Sequence, residues 1–68
     1  MRITKAGTAE FLIELNKQEM VVLNNALNEV CDALEDWEFA TRMSVGRPKV
    51  ALILNQIHQA LESADSGA

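Results

Sequence analysis

The chain has almost none of the residues that small proteins use as staples. In 68 residues there is one cysteine, Cys31, and one histidine, His58. A lone cysteine closes no internal disulfide, and neither residue has companions at metal-ligand spacing. Tyrosine is absent, and Trp37, Phe11 and Phe39 are the only aromatic side chains. Lys and Arg number six against ten Asp and Glu, for a net charge of −4. That balance disfavours nucleic-acid binding driven by general phosphate neutralisation. No apolar run reaches membrane-spanning length, and the start lacks the basic and apolar regions of a secretory signal. No phosphate loop, dinucleotide fingerprint or nucleophile–base pair is visible. These gaps predict a cytoplasmic, non-enzymatic protein with no cofactor, no metal and no membrane association.

What is present is apolar residues, at 49% of the chain. A chain this short buries a smaller share of its surface than a large domain does. With disulfides and zinc excluded, the remaining remedy is a partner surface, and a two-fold homodimer is the commonest one.

The pattern begins as strands. Arg2 to Lys5 and Ala9 to Leu15 alternate, with Gly7 at the turn between them. In the second run Ala9, Phe11, Ile13 and Leu15 share one face, and Glu10, Leu12 and Glu14 the other. A three-residue loop, Ala6-Gly7-Thr8, places Ile3 opposite Phe11 and Arg2 opposite Leu12. It gathers Met1, Ile3, Phe11 and Ile13 on the core side. A lone two-stranded ribbon is marginal and leaves two edges open. Pairing two hairpins into a four-stranded sheet across a dimer would protect them.

The period then changes. Asn16 caps a helix, with Glu19 completing a capping box. Met20, Leu23, Leu27, Val30 and Leu34 recur at helical spacing. Val22, Ala26 and Ala33 make the opposite side apolar as well, so the helix is expected to touch more than its own sheet. Asn24, Asn25 and Asn28 are mediocre helix formers, and their clustering marks them as candidates for polar recognition. Cys31 beside the apolar stripe reads as an inert thiol.

Glu35 to Phe39 interrupts the run. Asp36 is expected to cap a short helix from Trp37 to Met43, with Trp37 and Phe39 as core candidates and Trp37 also suited to a dimer seam. Gly46 and Pro48 start a third helix whose apolar positions are Val50, Ile53, Leu54, Ile57 and Leu61, ending at Glu62 or Ser63. Leu52 and Ala60 broaden its apolar arc. His58 borders that arc as a helix-surface imidazole. The expected organisation is one α+β domain of order ββααα over residues 1–63, followed by a frayed tail over 64–68. The candidate interface residues are Leu12, Val22, Ala26, Ala33, Trp37 and Leu52.

The stretch from Phe39 to Leu54, within residues 37–62, resembles a helix-turn-helix unit. Ala40 falls where crossing helices need a small residue, Val45 at the buried turn position, and Val50 and Ile53 where the second helix packs back. Ser44 stands where glycine is usual. The resemblance implies a DNA-binding alternative in which Arg42, Arg47 and Lys49 meet phosphates and Gln56 reaches a base edge. The leading expectation remains a homodimer working as an adaptor, inhibitor or accessory factor through protein–protein contacts.

Overall fold

The computed structural model describes residues 1–66 and has the order β1 (Arg2–Lys5), β2 (Phe11–Glu14), α1 (Lys17–Ala33), α2 (Asp36–Met43) and α3 (Arg47–Ser66). The expected ββααα architecture is therefore the one observed. β1 and β2 form a two-stranded antiparallel sheet.

The hairpin register differs from expectation by two residues. Ile3 pairs with Ile13, Lys5 with Phe11 and Arg2 with Glu14. The loop therefore spans the five residues from Ala6 to Glu10, closed by the Ala6 N–H donating to the Glu10 carbonyl at 2.9 Å. A shift of two preserves which face each side chain takes, because strand periodicity is two. It also sets Arg2 directly across from Glu14, with Nε 3.8 Å from Oε2, rather than diagonal to it. Gly7 located the turn but not its length.

α1 opens on the capping box expected of it. The Glu19 N–H donates to Asn16 Oδ1 at 2.8 Å, and the Asn16 N–H donates to Glu19 Oε1 at 3.0 Å. Met1's amino group lies 3.1 Å from Glu19 Oε2 and draws the hairpin's start towards that first turn. α2 begins one residue earlier than expected, at Asp36, capped by Glu35, whose N–H donates to Glu38 Oε1 at 3.0 Å. It ends at Ser44, whose φ of 70° is left-handed. Gly46 starts α3: its carbonyl accepts from the Lys49 N–H at 3.1 Å. α3 continues through Ser66, beyond the expected end at Ser63, and residues 67–68 of the expected tail lie outside the described residues.

The helices pack as a layer in which α1 and α2 each lie on α3, and no helix packs closely on the hairpin. The only buried residues described are Phe39 and Val50. α1 has no buried residue; Met20, Asn24, Leu27, Val30 and Cys31 are half-buried, as is Leu34 at its C-cap. Leu23, expected in this stripe, sits at its exposed margin, and Asn24 takes its place. α3 answers with Val50, Leu54, Ile57 and Leu61, one residue every three or four. Trp37 is a correction to the expected core, being 82% exposed. Residues two apart on a helix point about 200° away from each other, so Phe39 and Trp37 cannot both face inward.

The molecule is flat and extended, 41 × 32 × 16 Å. Its radius of gyration is 13.6 Å, against about 11 Å for a compact domain of this length. No helix among the described residues is long and apolar enough to cross a membrane.

Candidate interaction surface

Two strands and a short apolar core leave the hairpin's side chains in solvent on both faces. Leu12 is 64% exposed on the face it shares with Arg2, Thr4 and Glu14. Ile3, Phe11 and Ile13 are exposed on the other. That second face looks towards α1, where Val22 is 63% exposed and Ala26 lies one turn on. Between them runs a groove of about 410 Å³ lined by Met1, Ile13 and Leu15 on one side and Val22, Leu23 and Ala26 on the other. Glu19 at its end is the one acidic residue on its wall. The Asn16 N–H, followed by the N-terminal ammonium, holds the Glu19 carboxyl below the usual carboxylate range.

The remaining candidate interface residues lie elsewhere on the surface. Ala33 is exposed at the end of α1, Trp37 at the start of α2 and Leu52 on the outer side of α3. The structure thus joins Val22 and Ala26 in one groove and leaves Leu12, Ala33, Trp37 and Leu52 outside it.

The polar candidates divide similarly. Asn24 and Asn28, one turn apart on α1, face Ala51, Leu54, Asn55 and His58 of α3 across a cleft of about 330 Å³. Asn24 Oδ1 is shielded from solvent and accepts no hydrogen bond. Asn25 points away, exposed. His58 Nε2 lies 3.1 Å from Glu62 Oε1 along the same helix. Asn55, three residues before His58 and so on the same side of α3, joins this cleft.

The three basic candidates differ in placement: Arg42 and Lys49 are exposed, and Arg47 is half-buried. Arg42 Nε is 3.2 Å from Glu38 Oε2, one turn back on α2. The Glu35 N–H, then Arg42, hold the Glu38 carboxyl below its usual range. Arg47 turns inward. Its Nη2 donates to the Leu34 carbonyl at 2.6 Å, its Nη1 donates to the Cys31 carbonyl, and its Nε lies 3.0 Å from Asp36 Oδ1. The guanidinium also covers the Phe39 ring, 4.6 Å from its centroid. This one side chain satisfies carbonyls at the end of α1, where no basic residue occupies the last turn, and ties that end to α2 and α3. Lys49 and Gln56 stay exposed on α3. Of the positions the helix-turn-helix resemblance needs inside, Val50 is buried, whereas Ala40, Val45 and Ile53 are exposed.

No protein-family model, no curated protein and no solved structure matches this chain.

Proposed function

We propose that this protein is a small non-enzymatic homodimer that works through protein–protein contact, as an adaptor, inhibitor or accessory factor. One observation carries the reading. The chain exposes 5394 Å², whereas a compact protein of its mass exposes about 4,250 Å². The excess, roughly 1,100 Å², is larger than the ~800 Å² per partner of a standard interface. Large apolar side chains are exposed on the hairpin, at Met1, Ile3, Phe11, Leu12 and Ile13, and at Val22 on the side of α1 that faces it. Contiguous apolar surface of this kind marks interaction sites. The free thiol of Cys31 fits a reducing compartment, which supports a cytoplasmic setting.

Sedimentation equilibrium at micromolar concentration tests the reading. A two-fold mass is the expected result, and a stable monomer across that range would remove it.

A further inference from the structure

We infer that two copies of this chain join along β2, in register about Ile13, so that each places its Phe11 in the groove of the other. The inference rests on the homodimer reading above and adds the edge, the register and the residue that crosses.

The edge follows from the sequence of each strand. A two-stranded sheet leaves the outer side of both strands unpaired. β1 carries Arg2 and Lys5 at its two ends, charges of the kind that guard an edge against pairing. β2 presents Phe11, Leu12 and Ile13 before its first charge at Glu14.

The phase follows from the hairpin's own hydrogen bonds. The Ala6–Glu10 bond aligns Glu10 with β1. Backbone groups alternate along an antiparallel strand, so Leu12 and Glu14 also spend theirs on β1. Phe11, Ile13 and Leu15 therefore turn their N–H and C=O groups to the open side. A second copy, related by a two-fold axis at Ile13, meets those groups with its own. Ile13 then faces its equivalent, Phe11 faces the partner's Leu15, and Leu12 faces the partner's Glu14. Centring on Leu12 instead would set Glu10 against the partner's Glu14 at both ends, a like-charge pairing that destabilises a sheet.

The groove supplies the second half of the argument. Leu15 lines it, and Phe11 does not. Phe11 is 61% exposed on its own chain. Opposite the partner's Leu15, its ring lies over the partner's groove, between the sheet face and Val22, Leu23 and Ala26. The exchange is reciprocal, as a two-fold contact requires.

Paired cysteines test it. Leu12→Cys and Glu14→Cys are each made with Cys31→Ser, and the two proteins are mixed through urea, refolded together and oxidised. Leu12 and the partner's Glu14 form a non-hydrogen-bonded pair at about 4.5 Å between Cα atoms, within disulfide reach. The mixture should give a disulfide-linked dimer and neither variant alone should. A mixture that stays unlinked while the parent protein sediments as a dimer overturns the inference and leaves the homodimer reading intact. Leu12→Cys linking to itself overturns the register and with it the inference. A monomeric parent removes both. Independently, Phe11→Asp should weaken dimerisation at least about tenfold, the scale of a buried aromatic anchor, while Thr4→Asp on β1 leaves it unchanged. Equal behaviour of the two variants would also overturn the assignment.

Discussion

Replacing Arg47 probes the helical layer where one side chain holds three elements. Arg47→Ala removes donors from the Leu34 and Cys31 carbonyls and uncovers Phe39. Hydrogen bonds to a charged group contribute about 1.5–3 kcal/mol each. Arg47 is 34% exposed, so water partly replaces it and the lower end applies. The cation over Phe39 adds about 0.5–1 kcal/mol. Asp36 is almost fully exposed, so its ion pair adds little. Because these contributions share one group they do not simply add, and a loss of about 3 kcal/mol is expected. Small single cores rarely supply more than about 3–5 kcal/mol, so the variant should sit near the limit of folding. Arg47→Lys keeps the charge but loses the planar fork and the stacked face, and should lose about half as much.

The assay is urea unfolding followed by far-UV circular dichroism, with all variants at one protein concentration because association shifts apparent stability. With a slope near 1 kcal/mol per molar urea, the Arg47→Ala midpoint should fall by about 2–3 M. Arg42→Ala, at an exposed pair one helical turn apart, should move stability by under about 0.5 kcal/mol. Equal effects of Arg47→Ala and Arg42→Ala would refute the account of Arg47 as the tie between α1, α2 and α3.

Three further outcomes are expected. Ser44→Gly relieves a left-handed φ of 70° and should raise stability by up to about 1 kcal/mol in the same urea assay, since left-handed backbone costs a residue with a Cβ about that much. Asn24→Leu removes a shielded, unpartnered oxygen and should stabilise by about 1 kcal/mol, read as a rise in the thermal midpoint. The Glu19 and Glu38 carboxyls both lie below their ordinary pKa when folded. A depressed carboxylate pKa adds stability above the unfolded value, lost as pH falls through the folded one. Stability should therefore decline on acidification below the ordinary glutamate range, and the Glu19→Gln/Glu38→Gln double variant should show a shallower decline in pH-dependent melting.

The elements were legible where local rules act alone. Asn16 and Glu19 announced α1's start, and Gly46 and Pro48 announced α3's, because caps depend on a few adjacent residues. The hairpin's faces were legible from alternation, but its register depended on a loop length that Gly7 does not encode. Of the two readings of Trp37, core or seam, the core one fails because aromatic size suggests burial while helix phase assigns the inward position to Phe39. The inward contacts of Arg47 were not legible, because they are made with the distant Cys31 and Leu34 carbonyls, 16 and 13 positions earlier in the chain. No periodicity marks such a contact. The groove was half legible: Val22 and Ala26 stood out as surplus apolar positions on α1, but Met1 and Ile13 were expected on a core side.

That last mismatch follows from the number of layers available. A helical layer in which α3 supports both α1 and α2 has enough depth to bury Phe39 and Val50 and little else. The hairpin, placed beside rather than upon that layer, has a face with apolar side chains and no second layer to receive them. A sheet-and-helix domain is stable when each apolar face meets another, and two strands are too few to form a cover by themselves. Among the described residues, every regular element beyond Glu14 is helical, so none of them adds a third strand. A second hairpin laid along β2 doubles the sheet's width and brings Phe11 to a groove that its own chain leaves open. In the dimer proposed above, the surplus of apolar residues would be one half of a core that a second molecule completes.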